Sequence, residues 1–304
     1  MDIDFVLAIT NSAIRSTTPI MMAALASAIC NRAGVFNVAL EGQMLIGCFL
    51  AIALNWFTGS IFISVVGAVV AGGIVGLVVG VLQVKYKAAD MVVGTSINLF
   101  VGAFTSILLF ILFGVKGSFK NPELLSLPKI ELPVISDIPH LSILFRNLTA
   151  LDYISYVIAT IMFIYLFKTV SGYHLISIGV KKEAALSMGI NANKVQIIAV
   201  VVSGLLCAFG GAVLSMGQVT LFTENMTAGR GFIGMAACNL GRSNPILIIL
   251  ASLFFGFCDA FASVAQNTIP GQLTQSIPYI ATIIALIIFS KDKIKTKEQS
   301  KVQV

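Results

Sequence analysis

Four ionisable residues, Glu41, Glu224, Arg230 and Asp259, stand in or beside long apolar stretches. A charge inside a bilayer is costly, so each marks a functional path or a pairing inside a helical bundle. Glu41 reads first as a helix-start carboxylate near an interface, favoured by the helix dipole. Glu224 and Arg230 read as a loop pair or as part of a pathway, and Asp259 as a lone acid on the inner face of a bundle. The uncharged polar residues Asn37, Gln43, Asn98, Gln218, Thr220 and Asn225, with Phe222 available for stacking, suit a neutral, hydroxyl-rich ligand. Taken singly, each amide or hydroxyl is equally a helix-to-helix hydrogen bond. The candidate substrate path is Asn37, Glu41, Asn98, Gln218 and Phe222, with Asn37 and Glu41 sharing one face if both are helical.

Catalytic chemistry has little footing. No G-x-x-x-x-G-K-[ST] phosphate loop occurs, and G-R-G-F-I-G at 229–234 is not one. The two histidines are far apart in sequence, no Ser-His-Asp signature stands out, and no metal set is expected. Cys30, Cys48, Cys207, Cys238 and Cys258 form no C-x-x-C pair and read as small apolar packing residues.

The elements that must carry these residues are membrane helices. Of 304 residues 58% are hydrophobic and 11% charged, and the mean hydropathy is +0.98, far from a soluble domain. Residues 42–84, 91–115, 195–223 and 260–290 contain no Asp, Glu, Lys or Arg. A span needs about 20 apolar residues, and strands of alternating polarity are not apparent. The fold class is therefore all-α, a polytopic transmembrane bundle of about 8–10 spans in one domain over residues 1–290, with a basic tail at 291–304.

Spans are expected near 12–30, from Glu41 to a turn at 55–60, from there to Val84, and at 91–115, 153–167, 195–216, 246–264 and 273–290. Gly72, Gly76 and Gly80 form a small-residue ridge for close helix packing. The proline-bearing segment 116–150 reads as an external loop, and 232–240 is too short to cross alone unless re-entrant. Most of the 19 Lys and Arg fall at one set of loop ends, including Arg32, Lys85, Lys87, Lys168, Lys194 and Arg242. The positive-inside rule makes those ends and the C-terminus cytoplasmic and places the N-terminus outside. The net charge of +6 follows these loops and does not suggest nucleic acid.

The cytoplasmic loop at about 170–194 leads into the next span through I-G-V-K-K-E-A-A-L-S-M-G-I-N-A-N-K-V-Q, residues 178–196. Residues 181–188 favour helix, Gly189 suits a left-handed cap, and Asn193 with Gln196 resembles a capping box for the next helix. So short a helix is marginal alone, which makes it a docking knob for a cytoplasmic partner or a surface helix packed on its own protein.

Four motifs then carry a resemblance: N-R-A-G-V-F-N-V-A-L-E-G-Q-M at 31–44, E-A-A-L-S-M-G-I-N at 183–191, S-M-G-Q-V-T-L-F-T-E-N-M-T-A-G-R-G-F-I at 215–233 and G-R-S-N-P at 241–245. The chain resembles the permease subunits of ABC importers for branched-chain amino acids, ribose-type sugars and nucleosides. Within that group it is most similar to the smaller permease of nucleoside uptake systems. The resemblance implies a non-catalytic permease in the cell membrane. Its partners would be a second permease, an extracellular substrate-binding protein and an ATP-binding cassette subunit that holds the ATP and Mg, with no cofactor on this chain. It also implies that Glu183, Ala184, Ala185, Leu186 and Gly189 form the coupling helix. Ribose-like sugars and branched-chain amino acids remain alternative substrates, and an ion-coupled secondary transporter is the alternative of another class.

Overall fold

The computed structural model describes residues 3–129, 147–266, 274 and 277–284. The chain order is α1 (Ile3–Arg32), α2 (Leu40–Thr58), α3 (Ile61–Gly80) with a π-helical extension Val81–Lys85, α4 (Asp90–Phe113), β1 (Ser118–Phe119) and α5 (Ala150–Lys168). Then come α6 (Val170–Val180), α7 (Lys182–Ser187), α8 (Ala192–Ala212) with a π-helical extension Val213–Val219, β2 (Phe222–Thr223), α9 (Arg230–Leu240) and α10 (Pro245–Ala265). Among the described residues seven helices are long and apolar enough to cross a bilayer. The fold is an all-α polytopic bundle, and the protein is a multi-pass membrane protein. Half of the predicted span at 273–290, and all of the tail at 291–304, fall outside the described residues, as does the middle of the loop at 116–150.

Residues 17–30 of α1 and most of α2 are sequestered, whereas few residues of α4 and α5 are buried. The exposed face of α4 is apolar, with Leu99, Phe100, Ile107 and Ile111 more than half exposed, as a lipid-facing surface must be. Around α1 pack α8, α9 and α10, and α2 is wedged between α3, α4 and α8.

The predicted glycine ridge is the α3–α8 contact. A Cβ on Gly76 would sit 2.7 Å from the Val200 carbonyl oxygen, and Gly72 and Gly204 press backbone on backbone. Without a hydrophobic force between helices in lipid, such close approach is what holds them. Leucine at Gly76 is expected to destabilise the bundle by about 3 kcal/mol, seen as lost monodisperse protein after detergent extraction. Leucine at Gly102, which has nothing within 4 Å, is the control. Equal behaviour of the two variants would sink the packing argument.

One end of the bundle is basic. There the Arg32 guanidinium donates to the Ser243 and Arg242 carbonyls at 3.1 and 3.2 Å and lies over the Phe167 ring. At the opposite end Trp56 meets Phe119 edge-on, and the Asn55 amide donates to the Leu125 carbonyl at 2.7 Å.

Neither α2 nor α9 begins at an end of the bundle. Residues 33–39 run non-helically from the basic end along α8, so that Asn37 meets Ser203. At 1.5 Å per residue that is about 16 Å above the start of α8. The second span therefore starts at mid-depth, and Asn37 lies before it, so Asn37 and Glu41 do not share a helix face. The short apolar piece at 232–240 is solved the same way. Residues 220–229 descend non-helically from the far end, and α9 covers only the remaining half.

Candidate functional site

A non-helical backbone at mid-depth in a bilayer must find its hydrogen bonds inside the protein. Side-chain amides supply them to the 33–39 linker. Gln196 Nε2 donates to the Ala33 carbonyl at 3.0 Å, Gln83 Nε2 to Phe36 at 3.3 Å, and Asn98 Nδ2 to Val38 at 2.9 Å. Asn37 Oδ1 accepts from Ala39 N, while its Nδ2 donates to Gln43 Oε1 and Ser203 Oγ. The cap residue of α2, Ala39, makes no side-chain cap, and Asn98 Oδ1 accepts the Gly42 N–H at 2.8 Å instead. Asn37 and Gln43 are buried. Asn37 and Asn98 thus hold backbone and line no described cavity.

Glu41 does for α9 what Asn98 does for α2. Its two carboxylate oxygens accept the Gly229 and Gly231 N–H groups, both at 2.8 Å. These are orphan donors of the first turn of α9, and a carboxylate there also faces the positive end of the helix dipole. Gly229 adopts a left-handed φ of +81°, and any Cβ on Gly231 would lie 2.7 Å from Glu41. The sequence G-R-G is therefore required by the approach of the acid. The N-termini of α2 and α9 meet at one buried carboxylate.

Arg230 does not pair with Glu224 in an outer loop. It lies at the depth of Glu41 and forms a 3.0 Å ion pair with Asp259 of α10, whose side chain is accordingly no lone acid. Glu224 instead accepts from Gly117 N at 3.0 Å beside the β1–β2 ladder.

Above this junction α1, α9, α10 and the end of the α8 extension enclose a polar cavity of about 700 Å³, within the roughly 300–1,000 Å³ of small-molecule sites. Glu41, Arg230 and Asp259 lie on its wall with Gln218 and Asn225. Gln218 is also tied to α1, its Nε2 donating to the Arg15 carbonyl at 2.7 Å. Phe222 is buried edge-on against Phe49 at 5.2 Å and braces the segment that leads into α9 rather than lining the cavity. Glu41 and Gln218 are thus brought together at the cavity, while Asn37, Asn98 and Phe222 stand behind it. Sequence reasoning passed over Ser12, Ser16 and Tyr279, which also line it. The available signal was two serines four residues apart, on one face of α1. Of the described lining residues Arg230 alone is cationic, and Asp259 neutralises it. A second concavity of about 500 Å³, between α5 and α8, is apolar and offers a polar solute few hydrogen bonds.

The knob is built in two pieces. The helix expected over 181–188 is α7, separated from α6 by an extended Lys181 (φ −153°). Gly189 is left-handed at φ +79°, as its position required. The next helix is capped by Asn191, whose Oδ1 accepts Lys194 N at 3.1 Å, and not by Asn193. Gln196 is spent on the linker, so the capping box is not formed. Ala185 packs inward on Ile178 and Ala192, leaving Glu183, Ala184, Leu186, Met188 and Gly189 exposed, with Val180 beside them.

Residues 9–288 match the family described as branched-chain amino acid transport system / permease component. The guanosine ABC transporter permease protein NupQ of Bacillus subtilis is 32% identical over 280 residues, 88% of this chain and 87% of the relative. The nucleoside ABC transporter permease protein NupC of Lactococcus lactis subsp. cremoris is 32% identical over 285 residues, 90% and 89% of the two chains. NupB of the same organism, also a nucleoside ABC transporter permease protein, is 28% identical over 290 residues, 89% of this chain and 75% of the relative. No solved structure matches the chain. A bundle of membrane helices around a mid-depth polar cavity, matched over residues 9–288 by the family model and over 88–90% of its length by these relatives, belongs to the branched-chain amino acid transport system / permease component family.

Proposed function

We propose that the chain is one of two non-catalytic permeases in an ATP-driven importer of nucleosides, forming half of the translocation path. The observation that carries this reading is the polar cavity at the meeting of the α2 and α9 N-termini. A solute site halfway through the bilayer, formed by broken helices, is what alternating access needs. Arg230 and Asp259 neutralise each other and both oxygens of Glu41 are taken by backbone N–H groups, which suits an uncharged, hydrogen-bonding solute such as a nucleoside. The printed substrates of NupQ and NupC support the same class. Two permeases of one organism match this chain, one of them along 89% of its length and the other along 75%. That pattern supports pairing with a longer homologous partner.

The ATP-binding cassette subunit docks on α7, and the basic end faces the cytoplasm, in keeping with its Lys and Arg. An extracellular binding protein delivers substrate to the opposite end. ATP and Mg sit on the ATPase. Aspartate at Leu186, half exposed on the knob, is expected to lower ATPase co-purification at least tenfold at unchanged permease level. Full retention would rule out α7 as the seat.

The test of the whole reading is uptake of labelled nucleosides by vesicles holding both permeases, the ATPase and the binding protein. Ribose and leucine serve as competitors. Uptake should require ATP and survive collapse of ion gradients. Uptake that persists without the ATPase and follows an ion gradient would establish a secondary transporter instead.

A further inference from the structure

Among the described hydrogen bonds, Gln196 is the linker-holding amide that also reaches the docking helix α7. Gln196 Nε2 donates to the Ala33 carbonyl at 3.0 Å, while its Oε1 accepts from Lys182 Nζ, the first residue of α7, at 2.8 Å. Its side chain is buried at 6% exposure and Ala33 is fully buried, so neither bond competes freely with water. The same junction is closed by backbone. A Cβ on Gly34 (φ +74°) would lie 3.0 Å from the Gly179 Cα near the end of α6, and Gly179 abuts the Arg32 carbonyl.

From Ala33 the linker runs through Val38, held by Asn98, to Leu40 and Glu41, and Glu41 holds the start of α9. We infer that Gln196 is the positioning residue that ties the docking helix α7 to the linker and so to the cavity. Displacement of α7 would be passed to the N-terminus of α2 through the Gln196–Ala33 bond. The inference rests on α7 being the ATPase seat. It adds the route by which a movement at the membrane surface reaches a carboxylate at mid-depth. Chains of packed and hydrogen-bonded groups carry coupling only where they bias a movable element, and the non-helical linker, lacking a helix's own ladder, is the movable element here.

The two bonds of Gln196 can be separated. Gln196→Glu keeps an acceptor for Lys182 but has no N–H for the Ala33 carbonyl, and Gln196→Ala removes both. The measurement is nucleoside taken up per ATP hydrolysed in vesicles holding the complete importer. Co-purification of the ATPase and the thermal midpoint of the complex are followed in parallel. Both variants are expected to keep the ATPase bound and hydrolysing while uptake per ATP falls at least fivefold. A role confined to local stability would instead lower the thermal midpoint or the amount of complex and leave uptake per ATP of the surviving complex at the wild-type value, overturning the inference. Wild-type ratios in Gln196→Glu with a low ratio in Gln196→Ala would also overturn it, because the Ala33 bond would then carry nothing. If wild-type vesicles show no ATP-driven uptake at all, the proposed function fails before this inference is reached.

Discussion

Alanine at Glu41 is expected to cut nucleoside uptake at least a hundredfold while the chain still inserts into the membrane. The substitution leaves the Gly229 and Gly231 N–H groups without an acceptor at mid-depth, at about 1–3 kcal/mol for each unmade bond. It also removes a negative charge from the N-terminus of α9, worth up to ~2 kcal/mol in a partly buried setting. Because 1.4 kcal/mol is about a factor of ten in an equilibrium, a loss of about 3 kcal/mol, near the lower end of the summed range, already depopulates the pinned geometry by about a hundredfold. Glutamine retains size and one acceptor, so its amide nitrogen faces one of the two donors. Gln at 41 should fall between, near a tenfold loss. Since both oxygens of Glu41 are already engaged, the loss belongs in the maximal rate. The substrate concentration for half-maximal uptake should move less than twofold. Wild-type uptake by Glu41→Ala would refute the staple, and a large shift in half-saturation with an unchanged maximal rate would make Glu41 a substrate contact instead.

The staple was not legible in the sequence, for a physical reason. Glu41 could be read as a carboxylate near a helix start, but the helix it caps through space begins 188 residues later at Gly229. The clue was local to the other partner: G-R-G before a short apolar run is a helix N-terminus open to a close-approaching anion. Legibility was high where a single helix decides the outcome. Apart from α1, which begins at Ile3 and not near residue 12, the expected spans that fall among the described residues match their helices to within a few residues, the Gly72–Gly76–Gly80 ridge meets α8, and Gly189 takes the left-handed cap that ends α7. It was low where the chain is not helical. V-F-N-V-A at 35–39 is as apolar as a helix start, so hydropathy cannot separate an extended climb from a first turn. What stops the helix there is a set of amides from α3's extension, α4 and α8. Of these Asn98, like Asn37 and Gln43, attracted a ligand-binding reading because amides in an apolar setting must bond to something, and sequence alone does not say whether that is solute or backbone.

The Arg230–Asp259 pair separates the two meanings of a charged residue in a membrane. Each side chain is about one-fifth exposed, to the cavity they share, so water there reduces the cost of breaking the pair from the 3–5 kcal/mol of a dry interior to about 1–3 kcal/mol. Arg230→Met and Asp259→Asn should each lower the thermal midpoint of the purified protein and suppress uptake more than tenfold. The double variant Arg230→Met, Asp259→Leu removes both charges and fills the space. It should regain most of the lost stability, because an apolar pair of similar volume replaces an ion pair with little net cost. Uptake should not return with it. The pair is part of the polar wall around the solute space, beside Glu41 and Asn225, and a methionine facing a leucine cannot hydrogen-bond a polar solute or hold water in the path. Stability recovered with uptake still at least tenfold down would assign the charges to the transport path. Stability and uptake recovered together would make them a structural clasp between α9 and α10, and the polar path would then rest on Gln218, Asn225 and the α1 serines.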